Sequence, residues 1–163
     1  MTAADGKRDK RGDIARSQAR LATVQALYQM DLAETDLVEV IEEFKQHRLG
    51  GSGDGNGMVD ADQEHFAQVL RGVVKRQREI DPMIDQQLAT GWRLARIDSI
   101  VRAILRAATL ELLELPQVPP RVVISEYIEV ARAFFEGDEP KLVNGVLDQL
   151  ARKLRPGTLP ERG

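Results

Sequence analysis

Near the start of the chain, Lys7, Arg8, Lys10, Arg11, Arg16 and Arg20 place six cations within fourteen residues, against only the acids Asp9 and Asp13. Arginine grips phosphates through paired hydrogen bonds and stacks on unpaired bases, so a basic segment that orders on contact is a common route to RNA. Tyr28, about two turns beyond Arg20 on the same predicted helix, would add a stacking surface. A solubilising tail beside a core tyrosine is the plainer alternative.

Reaction chemistry is harder to find. His47 and His65 fall on different predicted helices, without a partner at metal-binding or triad spacing. Pairs such as Glu42-Glu43 and Glu111/Glu114 alternate with basic residues, the ordinary patterning of solvated helix faces. Cysteine is absent, which excludes a thiol nucleophile, Cys-ligated zinc and a disulfide framework. The stretch GGSGDGNG, residues 50–57, lacks the Gly-Lys-Ser/Thr ending of a phosphate loop. Counted as a calcium loop from Asp54, it puts Met58, Val59 and His65 where an oxygen ligand, Gly and Glu are needed. We read it as a flexible linker. The expectation is a protein that is not an enzyme, with no catalytic residue, metal or cofactor.

The elements that must carry the basic segment are helical. With 163 residues, 42% of them hydrophobic and 4% aromatic, the chain can bury an aliphatic core in one unit. Net charge is −3, so the cations at the N-terminus are a local excess in an otherwise acidic chain. No signal-peptide h-region and no run of about 18 apolar residues is present, which predicts a soluble, cytoplasmic protein.

Leu21, Val24, Leu27 and Tyr28 mark a first helix from Ile14, preceded by a flexible basic arm over 1–13. Leu37, Val40, Ile41 and Phe44 mark a second, capped by Asp36. A third is predicted over 61–79, and Pro82 suits the start of a short fourth that Gly91 ends. Ile97, Ile100, Val101, Ile104, Leu105, Ala108 and Leu112 define a central fifth helix. After Pro116 and the Pro119-Pro120 pair comes a sixth, with Val123, Tyr127, Val130 and Phe134 in one row and Ile124, Ile128, Ala131 and Phe135 in the next. In PKLVNGVLDQL, residues 140–150, Asn144-Gly145 is a hairpin signal. The spacing of Val143, Leu147, Leu150 and Leu154 is helical, and it prevails. A glycine there suggests close approach of another helix. Arg106 and Glu126, each on a mostly apolar helix, are candidates for a partly buried ion pair. The fold class is all-α, a compact single-domain bundle of about seven helices over 14–155, with a tail at 156–163.

Three stretches together resemble the NusB family of bacterial antitermination factors. QARLATVQALYQMD, residues 18–31, is similar to the family's first helix. Residues 96–134, RIDSIVRAILRAATLELLELPQVPPRVVISEYIEVARAF, resemble its Leu-Arg helix, Val-Pro connection and following helix. DEPKLVNGVLDQLAR, residues 138–152, resembles its closing Lys-Phe-Val-Asn-Gly-Val-Leu-Asp motif, with Leu142 in place of Phe.

The resemblance implies a non-enzymatic RNA-binding factor. It would pair with ribosomal protein NusE, recognise single-stranded boxA RNA and act on the transcription elongation complex, notably in ribosomal RNA operons. Carried over by position, the arm supplies Arg16 and Arg20 after Lys7, Arg8, Lys10 and Arg11. Tyr28 matches the family's tyrosine, and Asp138 and Lys141 would complete the RNA-facing residues. Two other readings stay open: a detached accessory domain of an rRNA methyltransferase, and a helical protein-interaction adaptor or homodimer that binds no RNA.

Overall fold

The computed structural model describes residues 3–50, 60–89 and 93–161, with side chains from residue 10 onward. Six α-helices are present among the described residues, and no strand. They are α1 (Ala3–Ala33), α2 (Leu37–His47), α3 (Gln63–Asp85), α4 (Ser99–Glu114), α5 (Pro120–Phe134) and α6 (Glu139–Leu154). The packing groups the chain into two compact units, with the division inside α3 between Arg71 and Gly72.

In the first unit, α1 begins well before the predicted Ile14. The arm is rich in Lys, Arg and Ala, which lose little side-chain freedom in a helix. Asp13 and Arg16 add an ion pair one turn apart at 2.5 Å. The expected arm is therefore a helical segment here. The α1–α2 turn places Glu34 at φ 51°, and the Asp36 carboxylate then accepts from Val38 N at 3.2 Å to start α2. Val40, Ile41 and Phe44 enter the core with Ala19, Val24, Ala26 and Leu27 of α1. Phe44 stacks on Phe66 of α3 with ring centroids 5.3 Å apart, and Arg48 lies over the outer face of Phe44. Asp62 caps α3 by accepting from His65 N at 2.9 Å, and its own N–H donates to Ala15 O, tying that cap to α1. Of the glycine-rich loop, only Gly50 is among the described residues.

In the second unit, α3 runs through Pro82 instead of restarting there, which accounts for six helices where about seven were predicted. The proline lies in the last turn, where it forgoes the one bond its N–H would give to the carbonyl of Arg78 while its own carbonyl still accepts from Gln86 N. Ile80 and Ile84 on either side are fully buried and hold that turn in register. Gly91, the expected helix end, lies outside the described residues.

Asp85 accepts from Leu94 N at 2.6 Å, and Arg102 donates to the carbonyls of Leu94 and Ala95, fixing a 3₁₀ turn at Leu94–Arg96. Asp98 caps α4, which is the central helix as predicted, with Val101, Ile104, Leu105, Ala108 and Leu112 all buried. α4, α5 and α6 pack on one another in turn. Phe134, predicted in the apolar row of α5, is 36% exposed, because the helix ends there and its ring leans on Phe135.

The C-terminal end of α4 is closed by a residue from beyond α6. Arg155 donates to the carbonyls of Glu111, Leu112, Leu115 and Val118, so one guanidinium ties together the end of α4 and the turn after it, adding a second donor at Glu111 and Leu115, whose oxygens also accept from the backbone N–H groups of Leu115 and Val118. Burial pushes this guanidinium down from its usual range, and the charge of Glu111 pulls it back up. Glu111 is itself fully buried and accepts a hydrogen bond from Tyr127 Oη of α5. Arg106, which the sequence offered as a partner for Glu126, engages Asp81 of α3. Gly145 departs from expectation, since a Cβ built there would meet nothing within 4 Å.

Candidate nucleic-acid interface

In the first unit the candidate residues lie along α1. Lys10 and Arg11 are exposed, one full turn and more from the nearest core residue of that helix. Arg16 is partly shared. Its guanidinium folds back over Gly12 to meet Asp13, with 39% of its side chain in solvent. Ser17 bonds back to Asp13 O at 2.9 Å, so the turn that carries this pair is doubly tied. An ion pair this exposed is weak enough to exchange for a phosphate.

Arg20 differs from Lys10 and Arg11 in its surroundings. It is 2% exposed, lying between Ala19 and the buried Ala22-Thr23-Val24 run, so its cation is turned into the unit and not toward a solvent-borne ligand. Helical period carries residue 20 onto the core side of α1, which a count of basic residues does not register. Tyr28 is half-buried. The side chains of Lys7 and Arg8 lie outside the described residues.

In the second unit, Asp138 and Lys141 sit at the start of α6 and both are exposed. Asp138 precedes the helix with φ −87° and ψ −1°, and its side chain makes no capping bond. Its backbone carbonyl accepts from Lys141 N and Leu142 N instead. It lines a groove of about 590 Å³ together with Glu139, Leu142, Ile97, Val101, Arg96 and Asp98. The sequence reading missed Arg96 and Asp98 here. Their signal was the short Leu94–Arg96 turn before the α4 cap, visible only once Asp85 and Arg102 are seen to hold it.

No helix among the described residues is long and apolar enough to cross a membrane, and no group of three or more His, Asp or Glu among them is placed to hold a metal ion. His47 is exposed at the end of α2, and His65 is buried near the start of α3.

These features define a class: a small all-α protein whose first helix opens with exposed cations and whose last helix opens with an exposed acid and lysine. The NusB family model matches residues 17–152, and the chain belongs to that family. The transcription antitermination protein NusB of Bartonella henselae is 50% identical over 155 residues, covering 95% of this chain and 98% of that protein. The protein of the same name from Allorhizobium ampelinum is 51% identical over 155 residues, covering 95% and 97%. Among solved structures, T. maritima NusB is similar with a TM-score of 0.71 at 30% identity, over 85% of this chain and 91% of that one. A chain in the crystal structure of antitermination factors NusB and NusE in complex with dsRNA shares the fold, with a TM-score of 0.72 at 23% identity over 85% and 97% of the two chains.

Proposed function

We propose that this chain is a transcription antitermination factor that binds boxA-type single-stranded RNA together with ribosomal protein NusE, in the cytoplasm, and supports elongation through ribosomal RNA operons. The observation that carries the reading is identity of about 50%, over nearly the whole of both chains, to proteins named for antitermination. The protein acts by binding and performs no chemical step.

Lys10 and Arg11 contact phosphates, with Lys7 and Arg8 extending the same helix toward its start. Arg16 joins them by leaving Asp13, and Tyr28 offers a ring edge to a base. Arg20 supports the helix from inside and does not touch RNA. At the start of α6, Lys141 meets a phosphate, and the Asp138 carboxylate accepts from a base amino group. Phosphate contacts of this kind fix position, while base-edge contacts specify sequence.

The test is a gel shift with boxA-like RNA, with and without NusE, at two salt concentrations. Binding that strengthens with NusE and falls steeply with salt is expected, since each neutralised phosphate contributes about 0.7 to the log-log slope on single strands. No RNA shift under either condition overturns the reading. Sedimentation of the chain alone shows whether it self-associates before meeting these partners.

A further inference from the structure

Two glycines interrupt helices of the second unit for different reasons. A Cβ built at Gly72 in α3 would lie 2.8 Å from Leu110 Cδ2, and Leu110 is fully buried, so packing requires that glycine. A Cβ at Gly145, within α6, would meet nothing within 4 Å. Glycine weakens a helix relative to alanine. At Gly145 no neighbour among the described residues compensates for that weakness, so no packing contact among them is the reason for the glycine.

The side chains around it suggest what that reason is. Lys141, Gly145, Gln149 and Lys153 recur every four residues and form one row along α6, with Asn144 beside the glycine. Lys141, Asn144, Gln149 and Lys153 are all exposed. Neither lysine forms an ion pair among the described residues, and the nearby acid, Asp148, is held by Arg152 at 3.0 Å. At 1.5 Å per residue the row spans about 18 Å. It carries two uncommitted cations, two carboxamides and no apolar side chain. A protein partner would need an apolar or aromatic anchor for a strong contact. A phosphodiester strand needs positive charge and room to lie against the helix.

We propose that this row is a track for single-stranded RNA, with Gly145 as the point of closest approach. The proposal rests on the RNA-binding reading above. Lys141 and Lys153 neutralise phosphates at the two ends, Asn144 and Gln149 bond to ribose or base edges, and the missing side chain at Gly145 lets the strand rest against the helix backbone.

The experiment compares the full chain with Gly145→Ala, Gly145→Gln and Lys153→Gln, by fluorescence anisotropy with labelled boxA-type RNA and by a separate pull-down with NusE. Thermal melting accompanies each variant. Both Gly145 variants should melt at or above the parent temperature, because the site has room and glycine is the weaker helix former. Gly145→Gln should nonetheless weaken RNA binding at least tenfold and Gly145→Ala less, with NusE capture unchanged. Lys153→Gln should lower the salt slope by about 0.7. If Gly145→Gln binds RNA as tightly as the parent chain, the track is wrong while the RNA-binding reading stands. Loss of NusE capture with RNA binding intact assigns the row to a protein and overturns the track. If the parent chain binds no RNA, both readings fall together.

Discussion

Arg106 of α4 holds Asp81 of α3 through two parallel hydrogen bonds, Nε to Oδ1 and Nη2 to Oδ2, each 2.9 Å. With the two side chains 12% and 28% exposed, the pair is sheltered enough to matter but wet enough to fall short of a fully buried one. Asp81→Ala should lower unfolding stability by about 2 to 3 kcal/mol, because it removes two charge-assisted bonds from a largely buried guanidinium. Arg106→Met with Asp81→Leu should recover most of that loss. Urea titration of both variants, with the single mutants completing a double-mutant cycle, checks this.

Arg155→Met should cost about 3 kcal/mol, since the carbonyls of Glu111, Leu112, Leu115 and Val118 lose a common charged donor. Arg155→Lys should restore less than half, because an ammonium has no planar fork to span four acceptors. Denaturant midpoints of the two variants decide it.

Tyr127→Phe removes the hydroxyl that donates to the buried Glu111 carboxylate. The expected loss is about 2 kcal/mol, with helicity unchanged in the native state. Circular dichroism before and during thermal melting separates these two effects.

On α1, the exposed and buried arginines should part company. Lys10→Gln and Arg11→Gln should leave melting unchanged and each lower the RNA salt slope by about 0.7. Arg20→Met should shift melting, not the salt slope. Asp13→Asn should tighten RNA binding a few-fold by releasing Arg16 from its surface pair. Anisotropy titrations at several salt concentrations, run beside melts, read all four.

Gly72→Ala should destabilise by about 1 to 3 kcal/mol, because Leu110 is fully buried and cannot withdraw from the new methyl group. Differential scanning calorimetry measures it directly.

Much of this architecture is legible from local pattern. The apolar rows of α2 and α4, the α5 row as far as Val130, the Asp36 cap and the proline pair that opens α5 follow from period and backbone chemistry, and each is present. The departures arise where distant residues decide the outcome. Pro82 looks like a helix start until Ile80 and Ile84 are seen buried on both sides of it. The bond from Arg106 to Asp81 on α3 is a matter of helix packing that the sequence alone does not display. Charge and the family resemblance grouped Lys10, Arg11 and Arg20 together, and only the helical phase of α1 separates the exposed first two from the inward-turned third. Gly145 showed that a glycine in a helix was unusual, without showing that its surroundings are open.

The seal that Arg155 forms on α4 also sets a timetable. Arg155 follows Leu112 by 43 residues. On a ribosome adding about 5 to 20 residues per second, the end of α4 therefore waits roughly 2 to 9 seconds for the donor that closes it. During that interval the end of α4 keeps its backbone bonds from Leu115 and Val118 but lacks the charged donor that joins all four carbonyls.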